Sequence, residues 1–253
     1  MLLFIRLRSI VLVLLYPIYL VGLSAICVLL NLLFNNRKID NFIVKLWAAG
    51  TCKMFGVRVK VNGEERVPKK IGCIYVFNHA SYFDIWAMSG YLPSFRFGSK
   101  IELFKIPVFG WALRRVGVLP IDRERRESVF RVYAEAKERI IRGDRFALAP
   151  EGTRQTTEKL GPFKSGPFVL AIQCSAPLVP VIIRNAARVM SKDSIIPNWN
   201  RWTDEIILDV LEPIETKGLA VDAKKELMES TRVIMADALE NPEKYRSKNS
   251  SQS

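Results

Sequence analysis

His79 is the only histidine in the 253 residues, and it stands in the stretch "FNHASYFD", five positions before Asp84. Imidazole is the side chain whose ordinary titration falls near neutral pH, so a histidine beside a carboxylate is a candidate general base. Five residues on a regular helix set two side chains roughly 140° apart, so the pair cannot meet in mid-helix. They can meet if His79 lies in a turn and Asp84 in the first turn of a following helix, with Asn78 or Ser81 as the cap. A carboxylate on one ring nitrogen fixes the tautomer and leaves the other nitrogen free to accept a proton. Ser81 is too close in sequence to be taken as a nucleophile, and no GxSxG elbow occurs. The proton would then come from a hydroxyl on a substrate. A capping or core role for the histidine accounts for the same eight residues, and this pattern alone does not separate the two.

Such a turn needs a strand before it and a helix after it. "GCIYVFN" (72–78) supplies the first and "FDIWAMSGYL" (83–92) the second. Six more stretches read as strands, several rich in β-branched residues: "VRVKVNG", "FRFGSK", "GVLPIDR", "RFALAP", "LVPVIIRN" and "EIILDVL". Between and after them lie the helix candidates "VFGWALRRVG", "ESVFRVYAEAKERIIRGD", "SGPFVLAIQCS" and "DAKKELMESTRVIMADALE". The longest internal one ends in basic residues and Gly143, which suits a helix C-terminus. This alternation predicts an α/β fold with a mixed, largely parallel central sheet flanked by helices. Residues 1–56 read as N-terminal membrane-anchoring helices, 57–240 as the main domain, and 241–253 as a polar, disordered tail.

The formal net charge is +13, which calls for a polyanionic partner, either nucleic acid or an anionic membrane face. A hydrophobic fraction of 49% favours the membrane. Acidic residues are interleaved through "DRERRESVFRVYAEAKE", so a stripe tracking nucleic-acid phosphates is not expected. The run Arg123, Arg125 and Arg126 in that stretch reads equally well as a solvated face. Cys27, Cys52, Cys73 and Cys174 are too scattered for a metal motif or a disulfide framework, and a single histidine argues against the usual zinc sites. We expect no metal and a reduced, cytosol-facing domain.

Residues 10–34 carry no charge and are long enough to cross a hydrocarbon core of roughly 30 Å. Arg6 and Arg8 precede them and Arg37 and Lys38 follow, so charge gives no orientation. A cleaved leader, a single spanning helix and a monotopic anchor broken at Pro17 and Gly22 remain as readings. In the next segment Phe42, Ile43, Leu46, Trp47, Met54 and Phe55 can share an apolar helix face, with Asp40, Lys45 and Lys53 polar. That face suits either a headgroup interface or packing on the domain.

Three further stretches follow "NHASYFD" in order: "GVLPIDR" (117–123), "APEGTR" (149–154) and "LVPVII" (178–183). Together they resemble the four motif blocks of the glycerolipid acyltransferases, and most of all the 1-acylglycerol-3-phosphate (lysophosphatidic acid) acyltransferases. "SKIELFKIPVFGW" and "GPFKSGPFVLA" resemble the family too, so the likeness covers about residues 70–185. It implies that His79 deprotonates the sn-2 hydroxyl of lysophosphatidic acid as this attacks an acyl thioester, with Asp84 orienting the ring. It also implies that Arg123, Glu151, Gly152, Thr153 and Arg154 hold the acceptor, and that Lys100 lies near the thioester as an oxyanion candidate. A guanidinium fork does suit a phosphate monoester, and backbone amides near Gly152 can add donors. Pro180 is expected at an edge, a bulge or a substrate-facing kink.

The implied product is phosphatidic acid, formed in phospholipid biosynthesis at the cytoplasmic face of the inner membrane. No cofactor is implied; acyl-CoA or an acyl carrier protein brings the thioester as co-substrate. Ala149, Gln155 and Pro167 depart from the family pattern, where an aromatic, a serine and a small residue are usual. These departures leave open another lysolipid, such as lyso-ornithine lipid. A hydrolase would use the same base on water.

Overall fold

Two adjacent asparagines fold the N-terminal helices back on each other. The computed structural model describes residues 1–122, 125–156 and 159–245. Within it α1 (Leu2–Phe34) ends at Asn35 in the left-handed region, and the Asn36 side chain accepts from Lys38 N to cap α2 (Arg37–Met54). Pro17 does not break α1, which runs unbroken through both positions expected to interrupt it.

Then follow β1 (Val57–Asn62), β2 (Cys73–Phe77), α3 (Phe83–Tyr91), β3 (Arg96–Lys100), α4 (Phe109–Arg115) and β4 (Leu119–Ile121). The second half contains α5 (Arg126–Ile141), β5 (Arg145–Leu148), α6 (Gly166–Cys174), β6 (Leu178–Arg184), α7 (Ala186–Val189), β7 (Asp204–Val210) and α8 (Lys224–Glu240). A last short helix, α9 (Pro242–Tyr245), occupies the start of the segment expected to be disordered. Lys244 pairs with Asp237 at 2.6 Å and the Tyr245 hydroxyl bonds the same carboxylate, which holds α9 to α8. The remainder of that tail lies outside the described residues.

The strands form one sheet in the order β1-β7-β6-β2-β5-β3-β4. Every neighbouring pair is parallel except β6 and β7. The sheet is therefore mixed and largely parallel, as the alternation of elements predicts. In β2 the side chains alternate between faces: Tyr75 and Phe77 pack with Phe83 and Met88 of α3, while Ile74 and Val76 pack with Phe168 of α6 and Met235 of α8. All five β2 residues are buried, the mark of a central strand covered on both sides.

Pro180 stands inside the sheet, on a strand paired on both sides. Register between β6 and the chain after β7 slips by one residue, from Val181↔Val210 to Leu178↔Ile214. Leu211 N reaches Pro180 O at 2.9 Å within this slip. Of the placements expected for this proline the bulge is the nearest to what is found, with the extra residue in the chain after β7 opposite Pro180.

α1 packs along the domain from end to end. Arg8 donates to Trp202 O at 2.8 Å, Ser9 to Asn198 O at 3.2 Å and Tyr19 to Trp47 O at 3.1 Å. Near the other end Asn31 bonds Asp40 of α2, and Arg115 of α4 reaches Asn31 and Asn35. Asp40, one of the polar residues set apart from the apolar face of α2, is buried in this polar joint. The α2 face also divides: Ile43 and Phe55 are buried, whereas Phe42 and Leu46 stay exposed, as does a long apolar stripe of α1 that includes Leu7, Leu14, Ile18 and Leu29.

Candidate active site

The carboxyl ends of adjacent parallel strands are where open α/β sheets assemble their sites. His79 leaves the end of β2, and the 149–154 stretch leaves the end of its neighbour β5. His79 Nδ1 lies 2.8 Å from Asp84 Oδ2, with the histidine in the turn and Asp84 in the first turn of α3. The same oxygen accepts from Ala80 N at 2.8 Å and Ser81 N at 2.9 Å. Asp84 is 1% exposed, while 15% of the His79 side chain reaches solvent. Phe77 meets the imidazole edge to face at 5.6 Å. Nδ1 thus carries the hydrogen toward the carboxylate, and Nε2 has no hydrogen-bond partner among the described residues.

Ser81 is the residue that serves α3: its Oγ accepts from Phe83 N at 3.1 Å and donates to Met190 O at 2.7 Å. Asn78 does not cap. Its amide exchanges two 2.8 Å bonds with the backbone of Ile183 in β6, locking the end of β2 to that strand.

The turn after β5 grips the histidine by its backbone. Glu151 Oε1 accepts from His79 N at 3.0 Å and Oε2 from Gly161 N at 2.9 Å, and Gln155 N donates to His79 O at 2.7 Å. Burial pushes the Glu151 carboxyl above its ordinary range, against the opposing pull of those two N–H bonds. Gly152 has φ +73°, and its N–H closes a turn onto Ala149 O at 3.0 Å. A Cβ there would stand 2.8 Å from Lys164 Nζ, so the lysine crosses directly over the glycine. Thr153 is exposed beside it. Arg154 stacks on Tyr82, with its guanidinium carbon 3.9 Å from the ring centroid, and its buried Nη1 has no hydrogen-bond partner.

The expected residues His79, Asp84, Glu151, Gly152 and Arg154 therefore gather at one place. Lys100 is exposed at the end of β3, with β5 between it and β2, about 10 Å away at ordinary strand spacing. Arg123 lies outside the described residues.

Residues 58–184, half of the chain, match the family profile described as Acyltransferase. The chain is 36% identical over 166 residues to the chloroplastic 1-acyl-sn-glycerol-3-phosphate acyltransferase BAT2 of Brassica napus, covering 64% of this chain and 48% of that protein. It is 34% identical to the 1-acyl-sn-glycerol-3-phosphate acyltransferase of Saccharomyces cerevisiae over 74% of this chain and 61% of the yeast protein. The chain belongs to the acyltransferase family. The crystal structure of the 1-acyl-sn-glycerophosphate acyltransferase PlsC of Thermotoga maritima superposes with a TM-score of 0.78 at 25% identity, over 93% of this chain and 97% of that one. The acyltransferase chain spans about half the length of its Brassica relative.

Three groups in this acyltransferase site escape sequence reasoning. Tyr82 lies within the histidine stretch, but nothing in its spacing reveals that it meets Arg154. Gln155 uses its backbone, which no side-chain pattern reports. Lys164, in "GPFKSGP", comes over Gly152 only because the chain returns to Pro150, where Lys164 N donates to the carbonyl at 2.8 Å.

Proposed function

We propose that this chain moves a fatty acyl group from an acyl thioester to the sn-2 hydroxyl of lysophosphatidic acid, giving phosphatidic acid. The observation that carries this reading is the 2.8 Å His79–Asp84 contact, with Nε2 on the open side of the ring. Nε2 takes the hydroxyl proton as the alcohol oxygen attacks the thioester carbon, and Asp84 stabilises the imidazolium that results. The C–S bond then breaks, and the imidazolium returns its proton to the departing thiolate. The thioester brings its own activation, so the steps balance without a resident cofactor.

Arg154 is the ligand of the acceptor phosphate, since its buried Nη1 lacks a partner and a guanidinium fork matches a phosphate. Arg123, Thr153 and the Gly152 turn complete the acceptor side. Glu151 acts by positioning, because both its oxygens already hold backbone N–H groups of the site. Lys100, two strands from β2, reaches a donor that lies along the carboxyl edge of the sheet.

The donor is acyl-CoA or acyl-carrier protein; both are acidic, and the basic surface suits either. The enzyme sits on the cytoplasmic face of the membrane, where these donors are found. α1 lies in the plane of the interface: its contacts at Arg8 and Asn31 are about 35 Å apart along the helix, so a spanning α1 would drag loop 198–202 or Arg115 through the hydrocarbon.

The test is transfer of labelled acyl groups to lysophosphatidic acid by the purified chain. His79→Ala should lower turnover by at least about a hundredfold while leaving folding and vesicle binding intact, as loss of a general base requires. Turnover within a few-fold of the parent chain would remove the mechanism.

A further inference from the structure

Arg154 is a half-buried cation with one enclosed guanidinium nitrogen, and it is held in an unusual way. Among the described residues it forms no ion pair; its guanidinium carbon lies over the Tyr82 ring, 3.9 Å from the centroid, and Nη1 is buried with no acceptor. A carboxylate partner would occupy the N–H edge and have to be displaced before a phosphate could bind. An aromatic face can hold the same group by its flat side and leave that edge without a protein acceptor. Tyr82 is the residue before α3, three positions after His79 and two before Asp84. The ring is half exposed, so it walls the site and does not belong to the core.

We infer that Tyr82 is a positioning residue that holds the Arg154 guanidinium, setting the distance between the acceptor phosphate and the base and selecting acceptors that carry a phosphate. This rests on the reading of Arg154 as the phosphate ligand. Tyr82 and His79 leave the same turn, so the anchor for the anion and the group that takes the proton share one rigid piece of backbone, braced by Ser81 and Asn78. The ring is the working part; the hydroxyl plays no role in the stack.

Titration of lysophosphatidic acid into the full chain without a donor reads the contact independently of turnover. Tyr82→Leu should weaken binding about three- to tenfold, the range of a partly desolvated cation–π contact. Tyr82→Phe should restore it to within about twofold. In the Arg154→Ala background, Tyr82→Leu should have no further effect, because the ring then has nothing to hold. In turnover, the same change should raise the KM for the phosphate-bearing acceptor with little effect on kcat or on the KM for acyl-CoA. Monoacylglycerol, which lacks the phosphate, should respond equally to the parent and the Leu variant. Equal losses from Tyr82→Leu in both backgrounds, or no rescue by phenylalanine, would overturn the proposal. Binding with the expected pattern but no acyl transfer by the parent chain would instead defeat the acyltransferase reading and leave the contact standing.

Discussion

Asp84 Oδ2 accepts three hydrogen bonds, from His79 Nδ1 and from the amides of Ala80 and Ser81. An asparagine can turn its amide oxygen to the same three donors, so Asp84→Asn removes charge with little change in geometry. What is lost is the stabilisation of the imidazolium, and turnover should fall about 10²–10⁴-fold with the melting temperature nearly unchanged. A loss of only a few-fold would mean that Asp84 orients the ring and no more. Glu151 is the opposite case, a carboxyl whose service is to the fold. Its pKa is raised by burial, so the folded state binds its proton more readily than the unfolded chain does. Its contribution to stability is therefore fully present below the ordinary carboxylate pKa and declines as pH rises through the folded value. Glu151→Gln does not titrate, so the parent chain's stability relative to this variant should decrease as pH rises above the ordinary carboxylate range in chemical unfolding. At neutral pH the variant should still lose transfer activity, because an amide cannot accept from both His79 N and Gly161 N.

The loop after β5 acts as a clamp on the loop after β2, and its shape depends on one glycine. Gly152→Ala would place a side chain at positive φ and against Lys164, at a cost of about 1–3 kcal/mol. The prediction is a lower melting temperature together with reduced acyl transfer, since Glu151 and Gln155 flank this turn and hold His79. Unaltered transfer in Gly152→Ala would separate the clamp from catalysis. Elements of this kind were legible to different depths in the sequence. Buried β-branched runs such as "CIYVF" and "LVPVII" became strands because they have few other folds open to them; "FRFGSK" and "RFALAP" have no such run and form strands by pairing with their neighbours in the sheet. The histidine turn was legible because five residues allow only one meeting geometry. Strand order was not, since no residue states that β5 inserts between β2 and β3. That order decides that Lys100 stands apart from His79 while Glu151 touches its backbone. Asn78 shows the same limit: as a residue type it suits a cap, and only the neighbouring β6 makes it a strand brace.

Across the whole molecule, the proposed function gives the apolar stripe of α1 and the charge of +13 one partner, an anionic membrane face. Phe42 and Leu46 of α2 are exposed as well, while the opposite face of α1 is committed to the domain by Arg8, Ser9, Tyr19 and Asn31. On the proposed interfacial placement, a helix about 50 Å long that is bound to protein along one side meets lipid with the other and lies along the interface. Leu14→Glu with Ile18→Glu places two charges in the middle of the stripe, where both residues are about 70% exposed and touch little else. The fold should persist, and binding to anionic vesicles should fall at least about tenfold, because a charge driven into apolar lipid costs on the order of kcal/mol. High salt should weaken binding of the parent chain only in part, as it screens the basic surface and leaves the apolar contact. Orientation has its own readout. Cysteines placed before Met1 and at Lys38 should both react with an impermeant maleimide when the chain is bound to the outside of sealed vesicles. Protection of either end would show that α1 crosses the bilayer.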